Sequence, residues 1–233
     1  MVPRVVGSSP IIIPKESCRQ RQLFFLCMSF KLIVISSPAS IPNETELITS
    51  LFKAGLQIFH LRKPGMSKVK MKKIISSFPK KYHSRIVIHS NHGLINEFKL
   101  KGIHFTEKER EKRKMNSMRS KRKKGITYST SWHLDNNSLI IDGYDHIFFS
   151  PVFDSISKSG YKSDFEISDF KRFFTWYNSG KEKQEKIIAL GGVSEKNVLK
   201  LKSAGFHGAA VLGAIWMSKD PVKSFKRIEK KLN

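Results

Sequence analysis

The residues best suited to chemistry follow two apolar segments in the last third of the chain. Residues 186–192 (KIIALGG) predict a buried strand that ends in Gly191 and Gly192. Residues 208–216 (GAAVLGAIW) predict a second buried strand, with Gly213 near its end. Glycine lets bare backbone amides approach an anion, and parallel α/β proteins bind phosphate at such turns. The spacing therefore predicts a phosphate site built from these two glycine loops.

Polar side chains also follow the other apolar segments, at positions where parallel strands would end. They are cations, imidazoles and hydroxyls, namely His60, Arg62, Lys63, His89, Ser131, His133, Ser155, Ser157 and Lys158. Cations bind phosphate oxygens, and imidazole has a pKa suited to acid–base catalysis near neutral pH. The set predicts a site for a small phosphorylated heterocyclic molecule.

The elements that must position these side chains alternate along the chain. From residue 31 onward, apolar runs of strand length are each followed by a segment with helical periodicity. Asn43 and Ser67 are predicted to cap the first two helices. The predicted strands are 31–37, 57–62, 85–90, 102–106, 126–131, 146–153, 186–192 and 208–216. Such alternation predicts an α/β fold, a single (β/α)8 TIM barrel, whose active site lies at the carboxyl ends of the strands.

Residues 28–233 are the predicted barrel domain, and residues 1–27 match no part of the alternating pattern. We predict that residues 1–27 form a disordered N-terminal extension. Two explanations stay open for it, a translation start at Met28 or a short targeting extension. Cys18 and Cys27 both lie in this segment, so the barrel has no cysteine for a disulfide or a thiolate metal site. A reducing, cytoplasmic location is the resulting expectation.

The chain is strongly basic, with 43 lysine and arginine residues against 19 aspartate and glutamate residues and a formal net charge of +24. Such a charge is typical of proteins that bind nucleic acid. Here the lysines are spread over most predicted helices, and the most charged run, 107–124, has no aromatic residue to stack on bases. We interpret the charge as a solvated basic surface and do not expect nucleic acid as a partner. No stretch approaches the roughly 20 apolar residues that span a membrane, so we do not expect a membrane partner either.

The segments around the strand ends also resemble those of a known enzyme family. From about residue 31 to residue 228 the chain is similar to the thiamine phosphate synthase/TenI family of TIM barrels. The resemblance is carried by 54–64 (AGLQIFHLRKP), 86–93 (IVIHSNHG), 101–105 (KGIHF), 129–133 (STSWH), 148–161 (FFSPVFDSISKSGY) and 188–216 (IALGGVSEKNVLKLKSAGFHGAAVLGAIW). The last two segments are the most specific, because their order, spacing and strand context all agree.

The resemblance implies a synthase that joins a pyrimidine diphosphate to a thiazole phosphate. In that reaction the diphosphate leaves as pyrophosphate, and the thiazole nitrogen attacks the remaining cation. The family holds the diphosphate with a Gln-x-Arg-x-Lys motif after its second strand. Arg62 matches this motif, His60 replaces the glutamine, and Lys63 lies one position early.

The resemblance also implies Mg2+ on the leaving diphosphate, bound by two aspartates. The family's Asn-Asp pair after the third strand is His89-Ser90 here, so the first metal aspartate is replaced by serine. The second metal aspartate, after the fourth strand, falls on Glu109. A glutamate can bind Mg2+, but the loss of the other carboxylate weakens the site.

The remaining family elements are better preserved. The family loop Thr-x-Thr-Lys is matched by residues 155–158, which keep both hydroxyls and the lysine. Ser131 matches the serine of the family's Ser-x-His element after the fifth strand. The resemblance thus implies catalytic roles for Ser131 and Lys158, and substrate binding by Ser155, Ser157 and the three glycines.

Two other functions stay open. The family also contains TenI-like thiazole tautomerases, which move a proton on a thiazole carboxylate phosphate without metal, and His133 falls on their acid–base histidine. A barrel that only binds a thiamine precursor is the other alternative. Mg2+ is therefore expected for a synthase and no cofactor for a tautomerase. The expected partners are small phosphorylated heterocyclic substrates, together with a second copy of the chain in a homo-oligomer.

Overall fold

Eight parallel strands close into a barrel in the order β1 to β8, which confirms the predicted fold. The computed structural model describes residues 30–112, 123–133, 143–155, 163, 165–179 and 185–232. The strands are β1 Lys31–Ile35, β2 Ile58–Leu61, β3 Ile86–Ile88, β4 Gly102–Phe105, β5 Thr127–His133, β6 His146–Ser150, β7 Lys186–Leu190 and β8 Gly208–Val211. Because all strands run the same way, every strand's carboxyl end faces one mouth of the barrel.

Helices connect the strands on the outside of the barrel. They are α1 Glu44–Lys53, α2 Lys68–Ser77, a 3-10 helix Lys80–Arg85, α3 Leu94–Phe98, α4 Glu107–Lys112, α5 Ile167–Ser179, α6 Val198–Ala204, α7 Gly213–Trp216 and α8 Pro221–Leu232. The helix predicted near 134–141 and most of the charged run 107–124 lie outside the described residues. So does the predicted N-terminal extension 1–27. In the part of the chain that is described, no helix has the length and apolar character needed to cross a membrane.

The two predicted helix caps have different outcomes. The Ser67 hydroxyl accepts a hydrogen bond from the Lys70 backbone N–H at 3.4 Å, which confirms Ser67 as the N-cap of α2. The prediction for Asn43 is wrong, because this residue adopts a left-handed conformation (φ 53°) and its side chain makes no capping hydrogen bond. An N-cap needs extended backbone, whereas asparagine readily takes a positive φ.

The core has two layers. A large apolar layer packs the outer faces of the strands against the helices, and it includes Phe52, Phe59 and Phe149. A smaller apolar set fills the barrel interior, formed by Ile33, Ile35, Ile58, Val87, Phe148, Ile188 and Ala210. Barrel interiors are normally filled by branched apolar side chains. This interior also contains fully or nearly fully buried polar side chains, namely His60, His104, His146 and Ser129.

Candidate active site at the mouth of the barrel

The fold brings most of the predicted site residues to the carboxyl ends of the strands. They lie at or just beyond the ends of β2, β3, β5, β6, β7 and β8, and are His60, Arg62, Lys63, His89, Ser131, Ser155, Gly191, Gly192 and Gly213. Ser157 and Lys158 lie outside the described residues. His133 ends β5 with its Cα in register with Ser150 of β6, which places its backbone at the same mouth.

Three histidines meet inside the barrel, below the mouth. His60 Nδ1 lies 3.0 Å from His89 Nε2, so these two rings share a hydrogen bond. The His89 ring stacks on that of His104 with a centroid distance of 4.1 Å. The His60 and His104 rings meet edge to face, with centroids 5.6 Å apart. Imidazoles from three consecutive strands therefore form one buried cluster, which we call the histidine cluster (His60, His89 and His104).

Two serines of β5 fix the orientation of His104. Its Nδ1 lies 2.9 Å from Ser129 Oγ, and its Nε2 lies 3.0 Å from Ser131 Oγ. The Ser129 hydroxyl donates to the Ile103 carbonyl oxygen at 3.5 Å. Ser129 therefore accepts from His104 Nδ1–H, and Ser131 donates to Nε2. This network joins the predicted catalytic Ser131 directly to the histidine cluster.

Burial keeps these imidazoles neutral. Desolvation lowers the pKa of His60, His89 and His104 well below the ordinary value of 6.5, and the neighbouring imidazoles lower it further. The Arg62 charge also lowers the pKa of His89. Below the cluster, burial lowers the pKa of His146 to about 3, helped by the charge of Lys31. At neutral pH the interior therefore offers lone pairs and N–H donors without positive charge.

Arg62 and Lys63 occupy different environments although they are adjacent. The Arg62 backbone is held by Ser36, whose hydroxyl accepts from the Arg62 N–H at 2.8 Å and donates to its carbonyl at 2.9 Å. The Arg62 side chain is exposed at the mouth, where it can meet an anion. Lys63 is only 3% exposed, and its Nζ donates to both carboxylate oxygens of Glu44 at 2.7 and 2.6 Å and to the Ala39 carbonyl at 2.9 Å. Three acceptors use the three donors of the ammonium group, so we remove Lys63 from the candidate phosphate ligands.

Glu109 caps the N-terminus of α4. Its Oε2 accepts from the backbone N–H and the hydroxyl of Thr106, both at 2.8 Å, and its own N–H donates to the Thr106 hydroxyl at 3.4 Å. This reciprocal arrangement is a capping box. At the other expected metal position, Ser90 Oγ is buried and has no partner among the described residues. One helix-capping carboxylate and one hydroxyl do not fit a Mg2+ site built by the protein, because such a site needs several oxygen ligands in near-octahedral geometry.

The glycine pair after β7 packs against the loop after β6. Gly191 and Gly192 have φ values of 97° and 63°, which other residues rarely adopt. A Cβ on Gly192 would lie 2.2 Å from the carbonyl oxygen of Asp154, and the Phe153 N–H donates to the Gly191 carbonyl at 3.2 Å. Asn197 Nδ2 donates to the Gly192 carbonyl at 2.9 Å. Close packing therefore requires these glycines, whether or not a phosphate binds there. The sequence alone does not show this packing.

The open space beside this mouth lies between the loops after β1 and β2. A cavity of about 300 Å³ lies there, lined by residues that include Ser40, Lys63, Ser67 and Lys70. The sequence does not single out Ser36, Ser129 or His146, and it places His104 in the middle of a predicted strand, at a family position that is usually structural. The alternation of each strand was an available signal, because it places His104 and His146 on the same inward face as Phe148.

Comparisons with known proteins agree with this fold. A sequence model of the family described as "Thiamine monophosphate synthase" (TMP-TENI) matches residues 32–215. The thiamine-phosphate synthase of Leuconostoc citreum (strain KM20) is 25% identical over 200 residues, which cover 82% of this chain and 91% of that protein.

Two solved structures are similar over most of their length. The crystal structure of thiamine phosphate pyrophosphorylase from Bacteroides thetaiotaomicron aligns with a TM-score of 0.67 and 31% identity, covering 87% of this chain and 97% of that chain. The thiamine phosphate pyrophosphorylase of Pyrococcus furiosus aligns with a TM-score of 0.65 over 89% of this chain and 97% of that chain. Its identity of 15% makes it evidence for the fold alone.

Proposed function

The chain belongs to the thiamine monophosphate synthase family, and on that premise we propose that it is a transferase of thiamine biosynthesis. It joins a hydroxymethylpyrimidine diphosphate to a thiazole phosphate. The carbon–oxygen bond to the diphosphate breaks, pyrophosphate leaves with the electron pair, and the thiazole ring nitrogen forms a bond to the same carbon. The products are thiamine phosphate and pyrophosphate.

The observation that carries this proposal is the combination at one mouth of an exposed arginine, glycine loops and uncharged imidazoles. Arg62 is held in place by its backbone bonds to Ser36, with its side chain exposed to a diphosphate. A guanidinium binds phosphate oxygens through two parallel N–H groups, and so it stabilises the charge that builds up on the leaving group. We assign the diphosphate contact to Arg62 together with Ser155, Ser157 and Lys158.

The glycine loops are proposed to hold the phosphate of the thiazole substrate. Gly191 and Gly192 follow β7, and Gly213 begins α7 directly after β8. Backbone N–H groups at the start of a helical turn favour an anion. The loop after β6 packs on Gly192, so the phosphate end and the diphosphate end of the site are joined by direct contact.

The neutral interior suits the charge that the reaction creates. Loss of pyrophosphate leaves a cation on the pyrimidine, and a nearby imidazolium would repel it. Burial holds the pKa of the three cluster histidines well below neutral, so they present no such charge. We assign the orientation of the pyrimidine ring to Ser131, which is hydrogen-bonded to His104.

A second candidate function is favoured by the missing metal carboxylate. Ser90 and Glu109 do not fit a protein-built Mg2+ site, and no step above runs through the ion. A TenI-like thiazole tautomerase needs no metal, and its acid–base group would be His133. The three cluster histidines do not suit that acid–base role. Burial lowers their pKa, so they are poor proton acceptors at neutral pH.

The test is formation of thiamine phosphate from the two substrates, with Mg2+ varied, by the wild-type chain and by Arg62→Ala. Hydrogen bonds to charged groups contribute about 1.5–3 kcal/mol, so Arg62→Ala should lower kcat/KM by roughly 10- to 150-fold. Arg172→Ala is the matched control, since Arg172 is exposed on α5 and paired with Asp169. Full turnover by Arg62→Ala would contradict the assignment. Proton exchange on the thiazole without condensation would favour the tautomerase.

We also propose that the reaction takes place in the cytoplasm and that the chain forms a homo-oligomer. The absence of cysteine after residue 27 supports the first proposal. Light scattering of the purified chain tests the second.

A further inference from the structure

The histidine cluster is arranged like a set of metal ligands. Each of His60, His89 and His104 offers one ring nitrogen, and these nitrogens all lie within 4.8 Å of one another. Among the described residues this is the only group of three or more histidine, cysteine, aspartate or glutamate side chains with that spacing. His60 Nδ1 and His89 Nε2 are 3.0 Å apart.

These distances are close to those of a tetrahedral site. Zinc binds imidazole nitrogen at about 2.0–2.1 Å, so two ligands of a tetrahedral ion lie about 3.3 Å apart. The His60–His89 pair needs to open by only a few tenths of an ångström, and the widest pair needs to close by no more than about 1.5 Å. Imidazole favours zinc, cobalt, nickel and copper, whereas Mg2+ prefers oxygen ligands.

The hydrogen-bond network already turns a lone pair of His104 toward such an ion. His104 donates through Nδ1–H to Ser129, which leaves the lone pair on Nε2. A metal-binding histidine commonly donates its other N–H to a fixed acceptor in this way. The ion would displace two hydrogen bonds, the one from the Ser131 hydroxyl to Nε2 at 3.0 Å and the one between His60 Nδ1 and His89 Nε2.

His60 is not held by hydrogen bonds at both of its ring nitrogens. Its Nδ1 faces His89, but its Nε2 is buried without a hydrogen-bond partner among the described residues. Buried polar atoms in folded proteins are nearly always paired. His83 shows the contrast, because its two ring nitrogens lie 3.2 and 3.1 Å from the backbone carbonyl oxygens of Phe98 and Phe78.

We propose that His60, His89 and His104 bind a divalent transition-metal ion of the zinc class, with the fourth coordination position open on the Ser131 side. The site is distinct from the family's Mg2+ site, which uses aspartates at the positions of Ser90 and Glu109. The family motifs have amide side chains at positions 60 and 89, so the two histidines depart from those motifs. The site does not depend on the proposed function, in which the uncharged imidazoles are those of the chain without this ion.

The experiment uses the full chain without a histidine tag, freed of metal by a chelator. Zn2+ is titrated calorimetrically, and Co2+ is added as a spectroscopic probe. The site predicts one ion per chain and a visible cobalt spectrum of nitrogen ligation without thiolate charge-transfer bands. His60→Gln and His89→Asn, which restore the family's amides, should each weaken Zn2+ binding at least about 100-fold, as loss of a ligand costs no less than loss of an outer-shell partner. His83→Gln and the double variant Cys18→Ser/Cys27→Ser should bind as the wild type does.

Three results would overturn the proposal. They are no stoichiometric binding by the wild type, thiolate bands in its cobalt spectrum, or unchanged affinity in folded His60→Gln and His89→Asn variants. If a variant does not fold, the cobalt spectrum of the wild type decides alone. Because none of these readouts is the condensation reaction, failure here leaves the proposed function standing, and a lack of condensation leaves the metal site standing.

Discussion

Mild acid should destabilise this barrel strongly, because its interior holds four buried neutral histidines. Burial lowers the pKa of His60, His89 and His104 well below 6.5 and that of His146 to about 3. In the unfolded chain each histidine returns to its ordinary pKa near 6.5 and takes up a proton as the pH falls. The unfolded state then binds more protons than the folded state, so the free energy of unfolding decreases with falling pH.

The magnitude follows from proton linkage. Between about pH 7.5 and about pH 5.5, each histidine that stays neutral in the folded state and titrates with pKa 6.5 in the unfolded state costs about 1.4 kcal/mol of unfolding free energy. The four barrel histidines together give about 5 kcal/mol, a large part of a typical domain stability of about 5–15 kcal/mol. His207 adds a loss of the same sign, since burial lowers its pKa to about 4. Most carboxylates keep their charge in this window, so the histidines dominate it.

Urea unfolding at a series of pH values, with a chelator present, measures this loss. The slope of unfolding free energy against pH should flatten above about pH 7 and steepen below pH 6.5. His60→Gln should remove about 1.4 kcal/mol of the decrease, one histidine's share. Two results would contradict the claim that the buried histidines stay neutral in the folded chain. One is a free energy of unfolding that stays constant from about pH 7.5 to about pH 5.5, and the other is an unchanged slope in His60→Gln.

Three further changes test individual contacts. Gly192→Ala should lower the melting temperature markedly, because its Cβ would lie 2.2 Å from the Asp154 carbonyl oxygen at a φ of 63°; an unchanged calorimetric melt would contradict this packing. Lys63→Met should cost about 3–5 kcal/mol in urea unfolding, since it leaves the Glu44 carboxylate without its buried partner; a loss below about 1 kcal/mol would instead fit an exposed pair. Ser90→Asp should lower the Mg2+ concentration that half-saturates condensation, because it restores the carboxylate that the family has at this position; an unchanged Mg2+ titration would place the ion elsewhere.

The barrel could be predicted from sequence because its signals are local. Each strand is a short apolar run, and each helix has its own period, so neither depends on distant residues. Ser67 was recognisable as a cap for the same reason. Asn43 was not, because asparagine is typical both of N-caps and of left-handed turn positions, and the local pattern does not distinguish the two.

The site could be predicted only in part, because its decisive contacts join distant segments. The sequence places His60 and His89 at strand ends, but their contact with His104 depends on the closure of the barrel. Lys63 is paired with Glu44, so its ammonium group is not available to a substrate at the mouth. The residues next to Lys63 in the sequence do not predict this ion pair. Gly192 was interpreted through phosphate binding, whereas its packing on Asp154 required the structure.

The most direct test of the central claim is phosphorus NMR of the purified chain with both substrates. We expect the diphosphate signals to convert to pyrophosphate while the thiazole phosphate signal converts to thiamine phosphate, one for one. Binding of the thiazole phosphate without any release of pyrophosphate would contradict the claim that this mouth joins the two substrates.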